Sequence, residues 1–204
     1  MTGPDRNDLA ALAVDLAAKS GIETTREMLA AEAGIPLARV NALFPRQDDL
    51  FDAALERWFA PLIAIMDEVM GSDLPAHRKL YEFIGRRFAF LSQEYRRDPE
   101  AFTILQQVGN SRFDRIETYI DLADHYLCEI IAEAQAEGAF AGLSIERTLS
   151  LVNQMVFPYV NPEVMASLGD KLTLDRLATI VDTLFAGLSA ENGGAGGTAR
   201  LRIA

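Results

Sequence analysis

Apolar positions recur at three-four spacing along nearly the whole chain, and no stretch of useful length alternates as a strand would. Leu9, Leu12, Ala13, Leu16 and Ala17 share one helix face, which Gly21 closes. Thr24-x-x-Glu27 reads as a capping box, opening a short helix that carries Leu29, Ala30 and Ala33 and stops at Gly34. A second short helix follows at once, from about Pro36 to Phe44, with Val40 and Phe44 on one face. Beyond Pro45 the periods lengthen. Leu50, Ala54, Leu55, Trp58, Leu62, Met66 and Val69 mark one helix, in which Pro61 predicts a kink. Leu80, Phe83, Ile84, Phe88 and Leu91 mark the next, ending near Tyr95–Pro99.

Pro99 and Glu100 suit a helix start, with a break expected at Gly109-Asn110-Ser111. Ile116, Ile120, Ala123, Leu127, Ile130 and Ile131 belong to a long helix ending at Gly138. Ser144 caps a segment with Ile145, Leu149, Val152 and Val156 that contains Pro158. Thr173 caps the last helix, whose stripe runs from Leu174 to Leu188. The prediction is an all-α chain of about nine helices. It divides into a small three-helix segment (1–46), a larger helical body (47–190) and a Gly-rich flexible tail (191–204).

Composition narrows the classes. The chain has 204 residues, half of them hydrophobic, and a net charge of −11. A generally basic nucleic-acid coat and a polybasic membrane binder are thereby excluded, so any nucleic-acid contact must be local. The longest uncharged stretch, Thr148–Pro162, is too short and too polar to span a bilayer. Asp8 and Asp15 interrupt any signal-peptide core, and the one cysteine, Cys128, fits a reducing compartment. The expectation is a cytoplasmic protein that does not engage membranes.

Enzymatic signatures are missing from the pattern. No Gly-x-Ser-x-Gly turn and no Gly-rich loop before a lysine occurs, and only two histidines exist. No cofactor is implied. Asp121, His125 and Cys128 share a helix face, but with Leu127 and Ile130 flanking the thiol the reading is a packed cysteine and no metal site.

The segment Ala33-Gly34-Ile35-Pro36-Leu37-Ala38-Arg39-Val40-Asn41-Ala42-Leu43-Phe44-Pro45-Arg46-Gln47-Asp48-Asp49-Leu50 resembles the helix-turn-helix of the tetracycline-repressor (TetR) family of bacterial regulators. Ala33, Gly34, Phe44, Pro45, Asp49 and Leu50 match the family pattern outright, and Ile35, Val40 and Asp48 match in type. The resemblance covers roughly residues 9 to 55. It implies that the second short helix enters a DNA major groove with Pro36, Leu37, Ala38, Arg39, Asn41 and Ala42 outward. Arg39 then reads guanine or holds a phosphate, Asn41 reads adenine or holds a phosphate, and Leu37 and Ala38 touch thymine methyl groups. Arg46 and Gln47, at the start of the next helix, and Thr24, Thr25 and Arg26, at the start of the second, are candidate phosphate contacts.

Four positions depart from the family pattern. Pro36 replaces the usual Ser, Leu37 and Gln47 replace lysines, and Asn41 replaces a tyrosine. Residues 1–46 carry five basic and six acidic side chains, so the segment is not basic. Two readings therefore stand. In one, the chain is a homodimeric, ligand-responsive repressor acting on palindromic double-stranded DNA. In the other, it is a module of the same fold with a degenerate helix-turn-helix, working through a small ligand or protein partner.

The same resemblance implies a ligand-sensing body that dimerises through its last helices, here the stretches 144–168 and 173–189. Candidate pocket walls for a largely apolar effector are Trp58, Phe59, Phe83, Phe88, Phe102, Tyr126, Met155, Phe157 and Tyr159. Gln106 and Asn153 are the candidate polar contacts, because unpartnered amides within apolar segments are costly.

Overall fold

Helix ends are set by short polar side chains and glycines, and these fix the first three helices tightly. The computed structural model describes residues 4–190; the tail expected over 191–204 lies outside the described residues. Helix α1 (Arg6–Ser20) opens on a reciprocal box. The Asp5 carboxylate accepts from the Asn7 and Asp8 N–H groups, while Asp8 accepts from the Asp5 N–H. It ends at Gly21, whose φ of 74° is left-handed.

Helix α2 (Arg26–Ala33) starts one residue later than the sequence spacing suggests. Thr25, not Thr24, is its cap, accepting from the Met28 N–H at 3.2 Å. Thr24 is turned inward and its hydroxyl donates to the Ala13 carbonyl at 2.7 Å. The Thr24–Glu27 box does not form, because burial of that hydroxyl against α1 takes precedence.

Gly34, at φ 64°, then turns the chain into α3 (Leu37–Leu43). Pro36 precedes α3 without any side-chain cap, as the loss of serine predicts. Leu9, Ala13, Leu29, Val40, Phe44 and Leu50 anchor one buried cluster beneath α1, α2, α3 and the start of the next helix.

The long helices are α4 (Gln47–Met70), α5 (Ala76–Arg97), α6 (Pro99–Asn110) and α7 (Phe113–Ala136). Helix α4 is one helix through Pro61. Asp98 caps α6, which ends at Asn110 with Ser111 as its C-cap, so the break falls within Gly109-Asn110-Ser111 as expected, with Gly109 buried in the last turn. The stretch 144–168 is two helices, α8 (Ile145–Val160) and α9 (Pro162–Leu168). The break falls at Asn161, whose side chain accepts from the Val164 N–H, and Pro162 has no N–H with which to continue α8. A 3-10 turn, Gly169–Lys171, leads to α10 (Leu174–Leu188), capped by Thr173. The described chain thus has ten α-helices, one more than the hydrophobic pattern resolves.

Two compact units emerge. The first takes the chain up to Ala64 together with Gln93–Ile120, so that α6 and the start of α7 join α1–α3, with α1 packed on α6. The second takes Ile65–Ser92 and the chain from Asp121 on. In the second unit Lys79 is buried, with Nζ 2.8 Å from Glu133. Phe140 holds a φ of 55° there, its ring wedged on Phe185 and its N–H donated to the Ser189 hydroxyl. No described helix is long and apolar enough to cross a membrane.

A Cβ added at Gly34 would meet nothing within 4 Å, so Gly34→Ala carries a backbone penalty alone. The expected loss is about 1–2 kcal/mol of unfolding free energy in a urea titration. An unchanged midpoint would show that the turn relaxes out of the left-handed region.

Candidate nucleic-acid interface

Seven residues make only two turns of helix, so α3 can bury one side and must present the other. Val40 is fully buried, whereas Pro36, Leu37, Ala38, Arg39, Asn41 and Ala42 are all exposed, as the helix-turn-helix reading requires. Arg39 is the one cation of the six, and its guanidinium donates to the Pro4 carbonyl at 3.3 Å. The exposed face is otherwise small, apolar or amide-bearing.

Other candidates from the sequence are placed differently. Besides the inward Thr24, Arg26 sends its guanidinium to the Phe44 and Pro45 carbonyls at 3.3 and 2.7 Å, and its buried Nε has no partner among the described residues. Gln47 accepts from the Arg26 N–H and donates to the Glu23 carboxylate and the Thr24 carbonyl, both at 2.8 Å. Thr25 is engaged as a cap. These four residues close the joint between α2, α3 and α4, which their positions at helix starts did not reveal. Arg46 is exposed but folds onto Asp49, which also accepts the Arg46 N–H at 2.8 Å.

The joint continues into the α6–α7 corner, a feature the sequence pattern did not suggest. Arg112 bonds Glu23 at 3.2 Å and Asp48 at 2.9 Å, and Arg115 bonds Asp48 at 3.0 Å and Asp52 at 3.2 Å. The Arg112 guanidinium also lies 4.8 Å from the centre of the Phe51 ring. The hydrogen bond from Arg112 holds the Asp48 carboxyl below the ordinary aspartate value, and the Arg46 bond does the same for Asp49. The available signal was only the i, i+3 spacing of Arg112 and Arg115 opposite the i, i+4 spacing of Asp48 and Asp52.

The family of the tetracyclin repressor-like C-terminal domain matches residues 76–181, just over half of the chain. The chain is a TetR-family transcriptional regulator. A Clostridium perfringens protein described as a fatty acid metabolism regulator shares the fold with a TM-score of 0.62 at 14% identity, over 88% of this chain and 97% of that one. A ketosteroid transcriptional regulator of Mycobacterium tuberculosis gives 0.52 at 18% identity, over 89% and 95%. A TetR-like transcriptional regulator from a Rhodococcus species gives 0.53 at 20% identity, over 93% and 100%. No curated protein matches.

The effector-pocket candidates of this TetR-family chain separate into groups. Trp58, Phe59 and Gln106 line a cavity of about 60 Å³ in the first unit. Phe102 is buried beside it, its ring 6.2 Å from that of Trp58. In the second unit Phe88 and Tyr159 meet edge to face, as do Phe83 and Tyr126, whose hydroxyl donates to Asp67 at 2.6 Å. Asn153 donates to Asp124 at 2.9 Å, which satisfies the amide. Met155 and Phe157 are exposed on α8, to either side of its buried Val152–Val156 stripe, and line no described pocket. Cys128 is half-buried, and burial pushes its thiol pKa up.

The lowered carboxylates give a pH prediction. Folding lowers the pKa of Asp48 and Asp49, so the native state binds fewer protons than the unfolded chain below neutrality. Their stabilisation is whole above the unfolded value near 3.9 and is lost as pH falls through the lowered values. Asp48→Asn is therefore expected to melt below the parent chain at pH 7, with the gap closing below about pH 4. A gap of constant size down to pH 2 would show that the carboxylate charge is not what matters.

Proposed function

We propose that this regulator binds duplex DNA as a homodimer, with α3 in successive major grooves of a two-fold symmetric operator, and that a small molecule relieves repression. The observation that carries the reading is the exposed face of α3, raised on a buried Val40–Phe44 seam behind a left-handed Gly34. Two such helices would address half-sites about 34–36 Å apart, one turn of the duplex. Arg39 and Asn41 are the base-reading candidates, flanked by Leu37 and Ala38 for thymine methyl groups.

Dimerisation is supported by exposed apolar side chains on the two segments assigned to it. Met155 and Phe157 stand out from α8, and Leu174 from the first turn of α10. Large apolar side chains gain most from burial, about 1.5–3 kcal/mol each, when a second copy covers them.

The engagement of Arg26, Gln47 and Thr24 inside the head favours one competing reading, a module that no longer reads DNA. Phosphate neutralisation dominates DNA affinity, and few cations here are available for it. Selection of duplexes from a random pool, at low and near-physiological salt, separates the two. A DNA reader enriches a palindrome, and Arg39→Ala then loses about 1–3 kcal/mol of affinity and relaxes one position in each half-site. Failure to enrich any duplex even at low salt would establish the competing reading.

A further inference from the structure

Arg39 is the one cation on the exposed face of α3, and its guanidinium is tied down: Nη2 donates to the Pro4 carbonyl, 35 residues earlier, at 3.3 Å. What aims that carbonyl is set at the start of α1. The Pro4–Asp5 peptide is planar and trans, as is every described peptide bond, so its N–H and its C=O point in opposite directions. The N–H donates to the Asp8 carboxylate at 3.1 Å. The plane is thus held from both sides, by Asp8 on its nitrogen edge and by Arg39 on its oxygen edge. The Pro4 ring fixes its own φ, which removes one torsion through which the carbonyl could swing. Donation from the N–H also polarises the peptide and makes its oxygen the better acceptor.

The start of α1 does not need this half of its box. The Asp5 carboxylate already accepts from the Asn7 and Asp8 N–H groups, whereas the Asp5 N–H is exposed, where water would serve it. The bond to Pro4 leaves Arg39 competent. Nη2 carries two hydrogens on different edges of a planar group, so donating one leaves an edge whole for the O6 and N7 atoms of guanine. A long exposed side chain loses rotamer freedom when it orders on DNA, and prior anchoring reduces that loss. We propose that Asp8 is a positioning residue for Arg39: through the Pro4–Asp5 peptide it holds the guanidinium in place, and thereby sharpens discrimination of one base in each half-site. The last clause rests on the DNA-binding reading; the hold on Arg39 does not.

Asp8→Ala and Asp8→Asn separate this role from charge and from helix capping. Both remove one negative charge and both leave the Asp5 cap, but only asparagine retains an oxygen that accepts from the Asp5 N–H. In the free full-length chain, the order parameter of the Arg39 Nε–H, assigned by its absence in Arg39→Lys, reads the hold directly. It is expected to fall in Asp8→Ala and to stay at the parent value in Asp8→Asn. On the duplex selected by the parent chain, Asp8→Ala should show about fivefold less preference than Asp8→Asn for the base that Arg39 reads. The two variants should bind a duplex altered at that base equally, and in an Arg39→Ala background they should not differ at all.

An Arg39 order parameter equal in Asp8→Ala and Asp8→Asn would overturn the hold. Order lost without a change in base preference would overturn its part in recognition. A loss of affinity spread evenly over all duplexes would reduce Asp8 to a helix-start residue. If no duplex is enriched at all, the regulator reading fails, and the order parameters still decide the hold.

Discussion

Within the first unit, the arrangement hangs on a lattice of opposite charges whose members are far apart in sequence. Arg112 and Arg115, at the corner where α6 meets α7, hold Glu23 from the turn before α2 and Asp48 and Asp52 from the first turns of α4. Isolated exposed ion pairs are worth little. These groups are half-buried and share partners, and Asp48 bridges two guanidinium groups, so removing one member leaves others facing unpaired charge. The lowered Asp48 pKa is the signature of that engagement. Through this lattice, α6 and α7 meet the elements that orient α3.

Such bracing has a consequence for recognition. The side chains that sit where phosphate contacts are expected, Arg26 and Gln47, are the ones that tie α2 and α3 to α4. Arg6 lies 3.7 Å from Glu56, and Arg46 lies on Asp49. The head is thus rigid by virtue of groups that a more basic head would turn outward. Affinity for DNA, under the proposed function, then leans on a few base-edge contacts from α3 and on doubling by a second subunit, rather than on a broad electrostatic term.

The sequence made the local devices legible and left the distant ones hidden. Gly21, Gly34, Pro99, Ser144 and Thr173 announce helix ends because their effect is confined to one turn of backbone. Thr24 and Thr25 could not be ranked, because the choice depends on Ala13 of another helix, eleven residues away. Asn161-Pro162, a turn-forming pair, was legible as a break but was not read as one. The outward face of α3 was implied by the family resemblance, and the exposure of its six positions agrees with it. The aromatic candidates could not be sorted in this way: composition cannot separate a ring that fills a core, such as Phe83 or Phe88, from one that stands exposed, such as Phe157. The charge lattice was the least visible, since its pairs are 63 to 89 residues apart and each charge by itself resembles a solvated helix face.

The lattice and the cavity share atoms, and that overlap gives the first unit its mechanical logic. Phe51 is a cavity wall and also the ring beneath the Arg112 guanidinium; Glu23 is a cavity wall and also a partner of the same arginine. The wall opposite α1 is therefore tied by charge, whereas α1 and α6, which pack on each other, line the space with apolar side chains apart from Gln106: Ala13, Val14 and Ala17 from α1, Leu105 and Val108 from α6.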